Sequence, residues 1–164
     1  MLKPLLLILL LFVSCSGVGD RQSGPMSEVK LRYSGGMNPI HYTLIIKSTG
    51  CAFFAGRTAL LNGRRVAFVD FKSLQDTLGE IPLPHHSNAA GGATRRPIDA
   101  AAIFLDIYTQ GSSNPVQLAY DGTSSAGHTL EAMSDVLSGI AFRADWLKVG
   151  EKMPYDCAWP VGEL

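Results

Sequence analysis

An excess of charge of either sign is missing from this chain. Its 14 basic residues are balanced by 14 acidic ones, so composition offers neither the basic footprint of a nucleic-acid binder nor a polybasic membrane patch. Nucleic acid is therefore not an expected partner. No apolar run reaches the roughly twenty residues of a bilayer-spanning helix; the run Leu5 to Val13 has nine. The G-x-S-x-G elbow of serine hydrolases is absent, and the Gly91-Gly92 pair lacks the Lys-Ser/Thr that completes a phosphate-binding loop. Cysteine is sparse, three in all, an odd number that cannot pair off within one chain.

What is present begins at the N-terminus. Lys3 provides a short positive segment and Leu5 to Val13 an apolar one, ending at Ser14-Cys15, the layout of a secretory signal peptide. Phe12-Val13-Ser14-Cys15 resembles the lipobox of bacterial lipoproteins, with Phe12 where Leu is usual. The resemblance implies that residues 1–14 are a lipoprotein signal, removed before Cys15. Cys15 would then carry acyl chains such as palmitate and a lipid bilayer would be the first partner, since each buried methylene contributes about 0.8 kcal/mol. Ser16, rather than Asp, after the cysteine implies the periplasmic face of the outer membrane. The alternative is an ordinary cleavable signal cut near Gly17 or Gly19, with Cys15 discarded.

Assigning Cys15 to lipid leaves Cys51 and Cys157. In an oxidising periplasm two remaining cysteines can pair, closing a loop of about a hundred residues, an effect on the order of 4 to 5 kcal/mol in the chain-entropy model. Two unpaired thiols, with Cys51 a small core residue, are the other reading. Separation in sequence does not decide, because a bridge needs Cα atoms within about 7 Å.

Residues 15–27, poor in periodic apolar positions and rich in Gly and Ser, read as a flexible tether. Residues 28–164 then fit one domain. Glu28 to Tyr33 alternates polar and apolar residues, the period of a half-buried strand. Tyr42 to Lys47 and Cys51 to Ala55 form a hairpin about Ser48-Thr49-Gly50. The third strand is expected to continue through Thr58 and Leu60 to Asn62-Gly63, a dipeptide suited to a type I′ turn, with Arg64 to Val69 as strand four. Asp70 caps a helix whose apolar positions are Phe71, Leu74, Leu78 and Ile81, and Pro82 ends it. Residues 82–99 form a long stretch without period. Ala101 to Thr109 and Val116 to Tyr120 are the next strands, and Leu130, Met133, Val136, Leu137 and Ile140 line one face of a helix from about Gly127 to Phe142. Everything after Trp146 reads as an irregular tail.

The order β-β-β-β-α-β-β-α predicts an α+β domain, a single antiparallel sheet with two helices packed on one face. A doubly wound parallel sheet does not fit, because strands and helices do not alternate one by one.

On the pieces Val29-Lys30-Leu31, Gly36, Pro39, Tyr42-Thr43-Leu44-Ile45-Ile46 and Gly50, Val29 to Gly56 resembles a family of small, functionally uncharacterised bacterial domains often found on lipoproteins. The Ile103 to Tyr120 hairpin and the Leu130 to Trp146 segment are also similar, so the likeness covers about two thirds of the chain. The family's turn cysteines are absent here, with Ser34 and Asn38 near those positions, and one extra residue stands between Pro39 and Tyr42. The resemblance implies a fold and no reaction.

Candidate chemistry is thin. His85-His86 are metal-ligating residue types, yet a site needs three or four ligands, and no nearby Cys, His or carboxylate completes a recognisable spacing; solvated loop histidines are the simpler reading, and neither metal nor cofactor is expected. Arg95-Arg96 suit a carboxylate or phosphate, or are solvated. Asp121, Ser124, Ser125 and His128 supply the residue types of a nucleophilic triad, but turn and capping needs account for them. In the pair Phe53-Phe54 one ring faces the core and the other the opposite sheet face, which allows an exposed aromatic there and with it an interaction surface. His85, His86, Arg95 and Arg96 thus stand as candidate binding residues. The leading expectation is a membrane-anchored periplasmic lipoprotein acting as a non-enzymatic protein-binding module, of inhibitor, immunity or envelope-accessory type, with a protein partner still to be identified. The alternative is a small periplasmic hydrolase or metal-binding protein using the 82–99 loop.

Overall fold

A computed structural model describes residues 24–35, 40–81, 102–120, 127–152 and 156–160. They form β1 (Met26–Ser34), β2 (His41–Lys47), β3 (Cys51–Arg57), β4 (Asn62–Phe68), α1 (Phe71–Gly79), β5 (Ala102–Thr109), β6 (Val116–Tyr120), α2 (Gly127–Arg143) and β7 (Leu147–Lys148). All strand pairs are antiparallel, and they make one seven-stranded sheet in the order β6-β5-β1-β2-β3-β4-β7. The α+β architecture expected from the alternation is present. Both helices lie on one sheet face, where Leu74 and Leu78 of α1 and Leu130, Met133 and Leu137 of α2 join the same buried cluster as Leu31, Leu44, Phe54 and Leu105.

The register explains that core. Leu31 lies between Leu44 and Leu105, Leu44 faces Phe54, and Leu105 faces Leu118, so one row across five strands is apolar on the helix side. A chain of rings runs beside it, Tyr33 on Tyr42 at 5.4 Å, Tyr42 on Phe54 at 5.5 Å and Phe54 on Trp146 at 5.8 Å between centroids. Gly56, opposite Tyr42, makes room for this: its φ is 132°, and a Cβ there would run into the Tyr42 backbone and the His41 carbonyl.

Helix ends follow from local chemistry. Asp70 caps α1 as expected, its carboxylate accepting from the Ser73 N–H at 3.1 Å. At the far end of α2 the Trp146 indole N–H donates to the Ala141 carbonyl at 2.7 Å, satisfying an acceptor the last helical turn leaves open.

Four local expectations are corrected. β1 begins at Met26, opposite Thr109, so the strand takes two residues from the stretch read as tether. The reversal between β3 and β4 sits at Thr58 to Leu61 and not at Asn62-Gly63. Thr58 holds it, its N–H donating to the Leu61 carbonyl at 2.7 Å and its hydroxyl accepting from the Leu61 N–H at 2.9 Å, while Asn62 and Gly63 pair with Arg57 and Gly56 inside the sheet. A hydroxyl that substitutes for a backbone acceptor outcompetes the positive-φ dipeptide as the turn. The tail after Trp146 is not wholly irregular, since Leu147 and Lys148 pair with Val66 and Arg65 as β7. Phe53 is not exposed either.

Phe53 is covered from the second sheet face by the C-terminal segment. Cys51 and Cys157 form a disulfide with Cα atoms 5.6 Å apart, which seats Trp159 edge-on against Phe53 at 5.7 Å. Ile45, Phe53 and Val66 are thereby buried in a second, smaller cluster with Leu147, Cys157 and Trp159. The Arg64 guanidinium lies over the outer side of Trp159 at 5.5 Å.

Two outcomes are expected. Replacing Cys51 and Cys157 together with Ala should remove on the order of 4 to 5 kcal/mol by the chain-entropy model, read from urea unfolding, and hydrogen exchange of reduced protein should show residues 156–160 opening before β2 and β3. The second concerns Tyr42. Burial pushes its hydroxyl above the ordinary value, opposed by its hydrogen bond with Ser138, whose oxygen lies 2.9 Å away. Because the folded state holds this proton more tightly than the unfolded chain, the stabilisation is complete below the unfolded value of about 10 and is lost as pH rises through the folded one. Tyr42→Phe should cost about 0.5–1.5 kcal/mol at neutral pH and lose less stability than the parent above pH about 10; a difference constant with pH would contradict this assignment.

Candidate functional site

The second sheet face is divided into two halves. Its cross-strand rows can be followed through the register: Gln117, Asp106, Lys30, Ile45, Phe53, Val66 and Leu147 lie side by side. The row passes from polar to apolar at the boundary between β1 and β2. The apolar end is the part beneath Cys157 and Trp159. The polar end, on β6, β5 and β1, belongs to the face opposite both helices and is the candidate site.

Arg32 is the centre of this open half. Its guanidinium reaches Asp106 Oδ2 at 3.3 Å and lies over the Phe104 ring at 5.2 Å. Phe104 is its direct cross-strand neighbour and Asp106 a diagonal one, across from Lys30. The Asp106 side chain is only 8% exposed, against 47% for Arg32, so the carboxylate is sunk in the surface and the guanidinium stands above it. A planar cation held at once by a carboxylate and a ring face has few rotamers left, and it presents free N–H edges to solvent. The next row places Tyr108 beside Glu28 and Glu28 beside Lys47, with Lys47 Nζ 3.6 Å from the Glu28 carboxylate. Phe104 and Tyr108 are partly exposed, and Gln117 and Ala119 of β6 are exposed.

This surface can recognise and not only fill space. Arg and aromatic side chains are the types enriched where protein surfaces meet, and here they lie on a sheet scaffold that does not need to rearrange on contact. Two clefts among the described residues lie elsewhere. One of about 500 Å³ runs between α1 and α2, lined by Asp70, Ser73, Thr77, Asp135 and Arg143 among apolar residues; another of about 310 Å³ lies between Leu60 and Phe142. In the first, Asp70 caps α1, and the Thr77 hydroxyl donates to the Ser73 carbonyl at 2.9 Å.

No protein-family model matches this chain, and no curated protein matches it.

Of the residues singled out from the sequence, the structure brings together Cys51 and Cys157. Cys15, His85, His86, Arg95 and Arg96 lie outside the described residues, as do Asp121, Ser124 and Ser125; His128 is in the first turn of α2. Among the described residues no three His, Cys, Asp or Glu side chains are grouped to hold a metal ion. Arg32, Phe104 and Asp106 were not singled out. Their only sequence signal is Asp106 within an otherwise apolar strand, AIFLDIYT, a charged residue that costs too much to bury unless it has a partner.

The arrangement predicts an asymmetry between its members. Arg32→Ala leaves the sunken carboxylate of Asp106 without its guanidinium and should destabilise the fold by about 1–2 kcal/mol. The double change Arg32→Leu with Asp106→Leu should cost less than the single one. Urea midpoints of the three proteins check both expectations.

Proposed function

We propose that this chain is a lipid-anchored protein of the bacterial envelope, acylated at Cys15 and facing the periplasm from the outer membrane, that works as a non-enzymatic protein-binding module. The observation that supports the binding role is the pinned Arg32 between Asp106 and Phe104, a preorganised Arg and aromatic patch on a rigid sheet face. The anchor is supported by the lipobox-like Phe12-Val13-Ser14-Cys15, and the compartment by the Cys51–Cys157 disulfide, a bond at home in oxidising surroundings. An inhibitor or immunity role, or service in envelope assembly, uses such a surface in the same way: a partner protein lays an acidic and apolar patch against Arg32, Phe104 and Tyr108.

The test places a photo-crosslinking residue at Ala119, on the open face, and in a second protein at Lys72 on α1, both in cells. A discrete adduct is expected from position 119 and none from 72, and Arg32→Glu should abolish it. The anchor is read separately: Cys15→Ala should leave precursor or release the protein from membranes. No adduct at 119, or an equal one at 72, would remove the face from consideration, and a Cys15→Ala protein that still fractionates with membranes would remove the lipid.

A further inference from the structure

The end of the sheet formed by the β3–β4 reversal carries a second, different surface. Leu60, at the tip of that reversal, is 75% exposed, and Phe142, in the last turn of α2, is 51% exposed. Both stand on the rim of the cleft of about 310 Å³ that Trp146 and Leu147 help to line. Leu60 is projected by its own turn, since its N–H donates to the hydroxyl of buried Thr58 at 3.2 Å. Val149 follows β7, whose antiparallel register to β4 carries it toward the same end. Three of the four large apolar side chains exposed among the described residues are therefore here.

Exposed cations flank them. Arg57 lies beside the reversal, opposite Asn62, and Lys148 lies across from Arg65. Of the nearby carboxylates, Asp145 lines the cleft, and Glu151 accepts from the Lys148 backbone N–H at 3.0 Å. These cations are far apart in sequence, so net charge conceals them and only the fold brings them to one end.

We infer that this end of the domain rests on an anionic lipid surface, with Leu60 and Phe142 entering the headgroup and acyl boundary and Arg57 and Lys148 on the phosphates. The inference deepens the lipid-anchored reading proposed above and rests on it for proximity to the bilayer. Protruding apolar side chains flanked by Arg and Lys are the chemistry of an interfacial membrane contact. Reach is sufficient. The chain enters the sheet at the opposite end, where the Ser48 N–H donates to the Ser27 carbonyl, but the eleven steps from Cys15 to Met26 extend to roughly 36–40 Å, beyond the roughly 24 Å length of the seven-residue strand β3. Anchoring also supplies a high local concentration of lipid, so a few side chains suffice for contact.

The test attaches an environment-sensitive fluorophore to Leu60→Cys in the full chain and, as the control, to Ser113→Cys in the β5–β6 turn at the other end of the sheet. Both proteins are reconstituted in phosphatidylethanolamine and phosphatidylglycerol vesicles. Emission from position 60 is expected to shift to the blue and to be quenched by nitroxide-labelled lipid, position 113 to remain water-like, and Arg57→Glu with Lys148→Glu to reverse most of the shift. Water-like emission at 60 in these vesicles overturns the inference, as does a blue shift without lipid, which would mean that a second copy covers the patch. Mass measurement of the N-terminal peptide reports acylation independently. If Cys15 proves unacylated, the anchor reading fails, and the same shift, measured on protein added to the vesicles, still decides whether the patch meets lipid.

Discussion

A sheet has two faces, and two short helices cover only one of them. Everything distinctive in this protein follows from how the other face is completed. On the helix side the register sets Leu31, Leu44, Phe54 and Leu105 in one apolar row, and α1 and α2 close over it. On the far side the row through Ile45, Phe53 and Val66 would leave three large apolar side chains in water, each worth about 1.5–3 kcal/mol when buried. The C-terminal segment covers that half, and the disulfide holds the segment in place. The remaining half stays open because charge and aromatic surface replace apolar residues there, with Asp106 shielded by Arg32.

The elements were legible in the sequence because each depends on a local period. Alternation marked β1, β2, β5 and β6, and the spacing of Phe71, Leu74 and Leu78 marked α1 together with its Asp70 cap. Position within the sheet was not legible. The pairing of β1 with β5 joins residues about seventy or more apart, Arg32 and Asp106 being separated by 74, and no short-range signal encodes it. Phe53 shows the same limit, since its alternation correctly placed it on the second face while its cover arrives from Trp159, about a hundred residues later. At the β3–β4 reversal the failure was of another kind. Two local signals competed, and the Thr58 hydroxyl prevailed over Asn62-Gly63.

The candidate site shares that non-local origin. Arg32 and Phe104 are ordinary strand residues in isolation, and only the register sets one against the other. The histidine and arginine pairs that sequence patterns favoured belong to residues 82–99, whereas the Arg32 surface is built on three strands. The two functional surfaces proposed for the chain are of different chemistry and lie at different places on one sheet. A domain held to a bilayer by its β3–β4 end would keep the Arg32 face turned sideways, accessible to a protein alongside it.

The interior position of β1 has a consequence for the nascent chain. Among the described residues β1 is the first strand, and β2, β3 and β4 follow it as a meander that satisfies one of its edges. The other edge waits for β5, which begins about 70 residues after β1 ends. During that interval an unpaired strand with Val29 and Leu31 on it is a template for pairing with another molecule. Glu28, Lys30 and Arg32, which alternate with those apolar residues, place charges along the waiting edge. The same charges that shape the open face of the finished domain therefore act beforehand as gatekeepers, disfavouring aggregation while the chain is half made.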